Sequence, residues 1–324
     1  MEKFFLKIWY QEVYYANLAS LFFIPLSCIY ISLFYLRALF YKNKKFNIPI
    51  ICIGNINIGG TGKTSTLLTL IKEIKKKDKR VSVLLRGYGS KNKSIFYKVS
   101  KSDTFNKVGD EALLYANCVP TYITTNRNFA IERIINEKQT DILLLDDGFQ
   151  DRSFHKDKTI LTVNGKRGFG NKMCLPAGPL RELIRPALKS AQFVVIIGDD
   201  LHHITKKYDY DNLEFYNANI KAVDVLDKKR YFAFSGIGNN DGFFDTLKNE
   251  GYDIKKKKSF PDHYQFTRKD LESLLDKAKI ENLSLITTEK DYVRIPEDYR
   301  KNIDCFKIKL EIPNVEKLIR KLIN

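Results

Sequence analysis

The sequence contains few cysteines and histidines, and this scarcity excludes several classes of protein. Its five cysteines lie far apart along 324 residues and form no CxxC pair, so neither a disulfide scaffold nor a zinc ribbon is expected. Their mostly apolar surroundings suit buried thiols in a reducing compartment. The four histidines lack the spacing of a zinc site, and no structural metal is expected. The cysteines are Cys28, Cys52, Cys118, Cys174 and Cys305.

Acidic residues are also scarce relative to basic ones. The chain has 38 Asp and Glu against 55 Lys and Arg, a formal net charge of +17, which favours anionic partners such as nucleic acid, phosphorylated substrates or an acidic membrane face. No RNP, zinc-finger or basic-zipper pattern is present, so nucleic acid is not expected as a partner. We interpret the lysine runs at 75–77 and 255–258 as solvated helix ends and loops. Nothing in the sequence implies an obligate protein partner.

Long apolar runs are absent except near the N-terminus, where residues 13–36 carry no charge. The run is too long, and too far from the first residue, for a signal peptide. Three interpretations remain open: a helix that spans the bilayer, a helix that lies in its surface, and a buried helix of the fold. Arg37, Lys42, Lys44 and Lys45 follow the run, which by the positive-inside rule places the rest of the chain in the cytoplasm.

A glycine-rich motif predicts the ligand. The segment Asn57-Ile58-Gly59-Gly60-Thr61-Gly62-Lys63-Thr64 follows an apolar strand at 48–53 and opens an amphipathic helix at 64–77, which is the context of a phosphate-binding loop. Lys63 would reach the β- and γ-phosphates, and the Thr64 hydroxyl would bind Mg²⁺. The strict motif has Gly where Asn57 stands, and Asn tolerates positive φ better than most residues. The motif predicts that the chain binds a nucleoside triphosphate.

A second motif lies further along the chain, where the apolar run 142–145 ends in Asp146 and Asp147. Buried carboxylates cost free energy unless they are paired or bound to metal. A strand that ends in acids beside a phosphate loop is the usual place for the metal ligands of such a site. We therefore predict that these acids meet the metal.

An acid pair and a histidine are candidates for proton transfer. Asp110 and Glu111 open a helix, and capping of that helix would by itself explain them. His263 lies in the turn Phe-Pro-Asp-His-Tyr at 260–264, and together Asp110 and His263 could form a general-base pair at a phosphate site. Three arginines follow predicted strands or a rigid loop, where α/β proteins collect ligands, and suit phosphate recognition: Arg86, Arg127 and Arg181.

Apolar strands and helical patterns alternate along the chain, which predicts an α/β fold: a P-loop NTPase-like core with a mostly parallel sheet. Core strands are predicted at 48–53, 81–85, 119–124, 141–145, 159–163 and 193–197, with helices at 64–77, 109–117, 127–138 and 181–189. A second series follows the polar stretch 227–230, with elements at 231–234, 242–248, 271–278, 283–287 and 315–323. We predict an N-terminal membrane-associated helical segment (1–40), a P-loop kinase core (41–226) and a smaller C-terminal α/β domain (227–324).

The ordered series of motifs resembles the tetraacyldisaccharide 4′-kinase family, the membrane-bound lipid A kinases of Gram-negative bacteria. The resemblance covers essentially the whole chain. Its motifs are the phosphate loop, Arg-Gly-Tyr-Gly at 86–89, Gly-Asp-Glu at 109–111, Asp-Asp-Gly-Phe-Gln at 146–150, Leu-Pro-Ala-Gly-Pro-Leu-Arg-Glu at 175–182, Gly-Ile-Gly at 236–238, Phe-Pro-Asp-His at 260–263 and Thr-Glu-Lys-Asp at 288–291. No single motif is unique, but their order is specific.

The resemblance implies transfer of the ATP γ-phosphoryl group, with Mg²⁺, to the 4′-hydroxyl of an acylated glucosamine disaccharide 1-phosphate. It places the enzyme at the cytoplasmic face of the bacterial inner membrane, in contact with membrane lipid. It implies catalytic roles for Asp110 as base, His263 as its partner and Lys63. It implies metal-site roles for Thr64, Glu111, Asp146 and Asp147, and a substrate-facing set of Arg86, Arg127, Arg181 and Glu182.

Two positions depart from the family pattern: Asp151 stands where a His is usual, and Ser65 where a Pro is common. Other classes fit less well. A regulatory ATPase of the deviant Walker A type carries a Lys where this chain has Ile58. A GTPase needs a guanine-recognition motif, and the spacing of Thr-Glu-Lys-Asp at 288–291 does not match it. A binding module without chemistry would leave Lys63, Asp110 and Asp147 unexplained.

Overall fold

The computed structural model describes residues 5, 8–10, 20–223 and 229–324. Part of the predicted apolar segment, at 13–19, lies outside the described residues, as does the predicted domain boundary at 226 and 227.

The described chain alternates between strands and helices. The strands are β1 (Ile50–Gly54), β2 (Val81–Leu85), β3 (Tyr97–Lys98), β4 (Thr121–Ile123), β5 (Ile142–Asp146), β6 (Lys158–Asn164), β7 (Phe193–Ile197), β8 (Glu214–Ala222), β9 (Arg230–Ser235), β10 (Asp253–Ser259), β11 (Ser284–Thr288), β12 (Ile303–Phe306) and β13 (Ile308–Glu311). The principal helices are α1 (Ile24–Leu39), α2 (Lys63–Lys75), α3 (Phe105–Val108), α4 (Asp110–Ala116), α5 (Arg127–Asn136), α6 (Ile184–Ser190), α7 (Ile204–Lys207), α8 (Asn240–Asn249), α9 (Arg268–Ile280), α10 (Glu289–Tyr292), α11 (Glu297–Arg300) and α12 (Val315–Ile323).

Contacts divide the chain into two compact units that differ from the predicted contiguous division. The first unit comprises Met1–Leu85, Asn126–Asn219 and Ile312–Asn324, and the second comprises Arg86–Thr125 and Ile220–Glu311. The last segment joins the first unit because α12 packs against α2. Each unit is therefore built from segments that are distant in sequence.

The first unit is organised around parallel strands in the order β8-β7-β6-β1-β5-β2. Strands β1, β2, β5 and β7 are buried along their whole length, because helices cover both faces of a parallel sheet and its strands are then apolar throughout. Residue Ile53 of β1 is in register with Asp146 of β5. The predicted α/β core with a mostly parallel sheet is confirmed.

Helix α1 belongs to the first unit and contacts it through the face that carries Ser27. Its Ser27 hydroxyl donates to the Cys174 carbonyl at 2.8 Å and accepts from the Ala177 amide at 3.0 Å. Large apolar side chains remain exposed along it: Leu26, Ile29, Leu33, Leu36 and Leu39. Across the described part of the chain, no helix has both the length and the apolar character needed to cross a membrane.

The second unit contains a parallel sheet in the order β10-β9-β11-β12. Successive side chains of β9 point to opposite faces: Phe232 and Phe234 pack with residues of α9, whereas Tyr231 and Ala233 pack with residues of α8. A capping box, Thr267 with Asp270, starts α9.

The lysine run at 255–258 lies in β10, so its interpretation as a helix end or loop was wrong. Strand β10 is at an edge of the sheet of the second unit, and all four lysines are half-buried or exposed. Charged side chains on an edge strand oppose pairing with other chains. The run therefore reflects the position of the strand and not a break in structure.

Candidate active site

The predicted phosphate loop joins β1 to α2 in the first unit. Gly59 and Gly62 have φ of +101° and +82°, and Gly62 immediately precedes α2. A Cβ on Gly62 would lie 2.1 Å from Cδ1 of Ile197, and positive φ also disfavours other residues there. The loop thus places backbone N–H groups and a helix N-terminus at one point, which suits an anion.

Side chains within the loop hold it in shape. The Asn55 amide donates to the Asn57 carbonyl and to the Thr61 hydroxyl, both at 2.8 Å, and Lys63 donates to Asn55 Oδ1 at 3.2 Å. Asn57, at the position where the strict motif has Gly, is not among the residues with positive φ. Its side-chain amide instead donates to the Gly168 carbonyl at 3.1 Å. Asn at this position therefore acts through its side chain and not through its tolerance of an unusual φ.

Asp147 lies beside the phosphate-loop lysine. Strand β5 ends at Asp146, and Asp147 has a φ of +52°. One Asp147 oxygen is 3.5 Å from Lys63 Nζ, and both oxygens accept from Nη1 of Arg181, at 2.9 and 3.0 Å. Burial raises the pKa of the Asp147 carboxyl, but the charges of Lys63 and Arg181 outweigh it and keep that pKa below its ordinary value. The structure thus brings three predicted site residues together.

The donor atoms near the phosphate loop suit Mg²⁺. Thr64 is buried in the first turn of α2, and Asp146 is buried at the end of β5, in register with the last residues of β1. A hydroxyl and two carboxylates are hard oxygen ligands, the kind that Mg²⁺ prefers. The residues present therefore fit the predicted metal.

Arg127 lies beneath the acidic turn, a position that differs from the predicted substrate-facing one. Its side chain is 4% exposed. Its Nη2 donates to the Asp147 carbonyl at 2.9 Å, and its Nη1 donates to Asp151 at 3.0 Å. The departure from the family pattern at Asp151 thus supplies the carboxylate for a buried Arg. Lys156, which the sequence did not single out, donates to the Phe149 carbonyl at 2.8 Å, so two cations hold the backbone of this turn.

Arg181 and Glu182 take different positions in the first unit. The Arg181 amide donates to the Ile56 carbonyl at 2.7 Å, while its side chain holds Asp147. Glu182 is buried and accepts from the Gln150 amide at 2.9 Å. Burial raises the pKa of Glu182. Arg181 therefore connects the phosphate loop to the acidic turn, and Glu182 fixes the residue that follows the Asp-Asp-Gly-Phe segment.

The second unit brings together Asp110, Glu111 and His263. Gly109 has a φ of +89° and starts α4 with Asp110 as its first residue. Nδ1 of His263 is 3.4 Å from Oδ2 of Asp110, and one ligand atom from each of the three residues lies within 4.8 Å of the others. Arg86 is exposed where this unit begins.

Asp110 and His263 differ in how deeply they are buried and in the direction in which their pKa values are shifted. The Asp110 side chain is 0% exposed, whereas that of His263 is 39% exposed. Burial raises the pKa of Asp110, but the hydrogen bonds of Glu111 and His263 and the charge of Arg294 outweigh it and hold it well below the ordinary value. The hydrogen bond to Asp110 raises the pKa of His263, against the effect of burial. The exposed imidazole, and not the carboxylate, is thus the accessible member of the pair.

Two further charged residues of this group were missed by sequence reasoning. Lys290 Nζ is 2.8 Å from Glu111 Oε1, and Arg294 binds Asp110. Both come from the segment that begins with Thr-Glu-Lys-Asp at 288–291. That motif was noted for its family likeness, and it was the signal that could have identified them.

Comparison with known proteins identifies the family. The family model described as LpxK, tetraacyldisaccharide-1-P 4′-kinase, matches residues 19–324. Proteins named tetraacyldisaccharide 4′-kinase from Rickettsia felis and Rickettsia canadensis are each 39% identical to the chain, over 98% of it and over 97% and 95% of their own lengths. A crystal structure of LpxK from Aquifex aeolicus in complex with ATP superposes with a TM-score of 0.75 at 29% identity, covering 94% of this chain and 98% of that one. The chain therefore belongs to the tetraacyldisaccharide-1-P 4′-kinase (LpxK) family, as its ordered motifs predicted.

Proposed function

We propose that the protein transfers the γ-phosphoryl group of ATP to the 4′-hydroxyl of a tetraacyldisaccharide 1-phosphate, forming lipid IVA in lipid A biosynthesis. The observation that carries this proposal is the grouping of Lys63, Asp147 and Arg181 within 3.5 Å at a glycine-rich loop, in a chain of this family. The acceptor follows from the names of the relatives.

ATP binds at residues 57–64 in this proposal. The backbone N–H groups of the loop and the N-terminus of α2 face the phosphates, and Lys63 neutralises charge on the β- and γ-phosphates. In the structure the Lys63 ammonium donates to Asn55 Oδ1 and lies 3.5 Å from an Asp147 oxygen, so it already lies alongside the loop. A triphosphate that enters the loop meets this ammonium and competes with Asp147 for it.

Thr64, Asp146 and Asp147 are the residues of the first unit that would hold Mg²⁺. Within the second unit, Glu111 pairs with Lys290 at 2.8 Å. When bound, the metal would neutralise charge on the phosphates. Arg181 holds Asp147 in place, and Arg127 supports the backbone of the same turn. Phosphoryl transfer requires mainly positioning and charge neutralisation, and these contacts supply positioning.

The Asp110–His263 pair takes the proton of the acceptor hydroxyl in this proposal. Asp110 is covered on all sides, so the half-exposed imidazole of His263, 3.4 Å away, is the group that a sugar hydroxyl could approach. The pair then acts as one unit, with the charge of Asp110 stabilising the protonated ring. Arg86 is exposed and Arg181 is partly exposed, so these two members of the predicted substrate-facing set could contact phosphate; Glu182 is buried and accepts from Gln150.

The exposed apolar side chains of α1 support a location at the membrane. Leu26, Ile29, Leu33, Leu36 and Leu39 are all more than half exposed, and basic residues follow the helix. An acylated substrate stays in lipid, since each buried CH₂ is worth about 0.8 kcal/mol, and its kinase must therefore meet it at the surface. We place α1 in contact with the cytoplasmic face of the bacterial inner membrane.

The test is an assay of labelled γ-phosphate transfer from ATP to purified disaccharide 1-phosphate. Wild-type protein should label the acceptor, and Asp110→Ala and His263→Ala should each lower turnover while ATP binding is retained. A regulatory ATPase would instead release labelled phosphate at the same rate with or without acceptor. That outcome, with no labelled lipid, would exclude the kinase proposal.

A further inference from the structure

Arg294 occupies the centre of the buried charged cluster in the second unit. Its side chain is 0% exposed. Nε donates to Oδ2 of Asp110 at 3.1 Å, and Nη2 binds the same oxygen. Nη1 donates to the Gly236 carbonyl at 2.7 Å and to Oδ1 of Asp291 at 3.2 Å. One guanidinium thus connects two carboxylates and a backbone carbonyl.

The second carboxylate, Asp291, is itself fixed in place. It is 0% exposed, accepts from the Gly236 amide at 3.0 Å and accepts from the Thr288 hydroxyl at 2.7 Å. An unpaired buried charge is costly, so this degree of pairing means that Arg294 has little freedom to move. A guanidinium offers several donors in a rigid plane, which an ammonium cannot reproduce.

Arg294 also lies next to the imidazole. Its Nη2 is 3.4 Å from Nδ1 of His263, and the same Nδ1 is 3.4 Å from Oδ2 of Asp110. The position of the guanidinium therefore sets both where the carboxylate oxygen lies and how the ring lies against it. The two residues come from different elements, Asp110 from α4 and His263 from the turn after β10, and the guanidinium of Arg294 lies against both.

We infer that Arg294, held by Asp291, is the positioning residue that fixes the carboxylate of Asp110 against His263. The inference rests on the proposed function, because it concerns the pair that takes the acceptor proton there. Arg294 acts through Asp110 and His263 and is not itself expected to touch the substrate. Misplacement of a reacting group by about 1 Å can cost about 10²-fold in rate.

The experiment compares kcat and KM for ATP in wild type, Arg294→Lys, Arg294→Met, Asp110→Asn and the double variant Asp110→Asn with Arg294→Met. Arg294→Met should lower kcat by about 10²-fold and leave KM for ATP within about twofold. Arg294→Lys keeps the charge but loses the planar donors, and should recover only part of kcat. In the Asp110→Asn background, Arg294→Met should lower kcat by no more than about threefold, because residues that act as a unit are not additive.

Arg300 provides the matched control. It lies six positions further along, and its guanidinium donates to the Ile295 and Val293 carbonyls at 2.8 and 3.1 Å, in the same segment as Arg294. Arg300→Met should lower the melting temperature while kcat stays within about twofold of wild type, since it removes local hydrogen bonds and the contact of the guanidinium with the Tyr292 ring. If Arg294→Met does not fold, Asp291→Asn is used in its place. This variant keeps the shape of the Asp291 side chain and should lower kcat by about tenfold.

Two results would overturn the inference: wild-type kcat in folded Arg294→Met or Asp291→Asn, or a full further loss of about 10²-fold when Arg294→Met is added to Asp110→Asn. Failure of the proposed function looks different. In that case wild-type protein itself transfers no phosphate to the acceptor, whatever residue 294 is.

Discussion

Replacement of Asp147 by Asn should separate ATP binding from catalysis. In the absence of nucleotide, Asp147 neutralises Lys63 at 3.5 Å and Arg181 at 2.9 Å, and a triphosphate must compete with it for both cations. Coulomb's law for unit charges at 3.5 Å gives about 1 kcal/mol in water and about 5 kcal/mol at an effective dielectric constant near 20. Because the Asp147 side chain is about a third exposed, the value should lie toward the lower end, about 1–2 kcal/mol.

Asp147→Asn should therefore bind metal-free ATP about five- to thirtyfold more tightly than wild type, as 1.4 kcal/mol corresponds to a factor of ten. It should also transfer phosphate at least about 10²-fold more slowly in the presence of Mg²⁺, because the carboxylate that we propose as a metal ligand is lost. Isothermal titration calorimetry with ATP and EDTA measures the first effect, and the labelled-phosphate assay measures the second.

Asp141 supplies the control for this prediction. It precedes the same strand, β5, at the opposite end and pairs with Arg80. Asp141→Asn should change neither ATP affinity nor turnover. Weaker binding of metal-free ATP by Asp147→Asn would refute the reasoning, because it would show that Asp147 does not compete with the phosphates for Lys63.

Three further predictions concern the loop, the histidine and the first helix. Gly62→Ala should destabilise the protein by at least about 1–2 kcal/mol, since it combines positive φ with a Cβ 2.1 Å from Ile197 Cδ1; urea unfolding measures this. His263→Gln should lose stability relative to wild type only at low pH: the pKa of His263 is raised by Asp110, so its contribution is complete below the ordinary pKa of 6.5 and disappears as pH rises through the raised value. Leu33→Lys on α1 should weaken binding to anionic lipid vesicles by about tenfold or more, because an apolar side chain that is 60% exposed would no longer enter the lipid.

Each of these predictions has a control within the chain. Gly198 has a φ of +78° and no atom within 4 Å of an added Cβ, so Gly198→Ala measures backbone strain without the contact; equal losses at both glycines would contradict the steric argument. The pH dependence at His263 should vanish in Asp110→Asn, and its persistence there would point to another partner. Ile280, an 82% exposed apolar residue of α9, gives Ile280→Lys as the vesicle control, and equal effects of both lysines would count against α1 as the membrane contact.

Local patterns predicted most elements of the fold. Strands β2 and β7 and helix α12 have the bounds that periodicity indicated, because a continuous apolar run or an amphipathic repeat determines both the element and the face it buries. Strand β10 was missed because a run of lysines does not look like a buried strand. The lysines are tolerated because β10 lies at the edge of its sheet, which the sequence alone does not show. The sequence also did not predict which segments form each of the two units, because contacts between distant segments leave no local pattern.

Part of the candidate site was predicted from motifs whose position at a strand end allows few functions. The loop at 57–64 and the acids after β5 follow recognisable strand ends, and the structure places Lys63 and Asp147 together. Arg127 was expected to face the substrate but lies buried against Asp151, because an Arg looks the same in sequence whether its partner is a ligand or a carboxylate. Arg294 was not identified because its partner Asp110 lies 184 positions away in the sequence.

Phosphoryl transfer in the proposed function depends above all on the ammonium of Lys63, which acts on the phosphates of ATP at the loop before α2. The most direct measurement is transfer of labelled γ-phosphate to the disaccharide 1-phosphate acceptor by Lys63→Met, with folding checked by circular dichroism. We expect transfer to fall by at least about 10²-fold, since charge stabilisation of the reacting phosphate is lost. Product formation by Lys63→Met at the wild-type rate would contradict this role of Lys63.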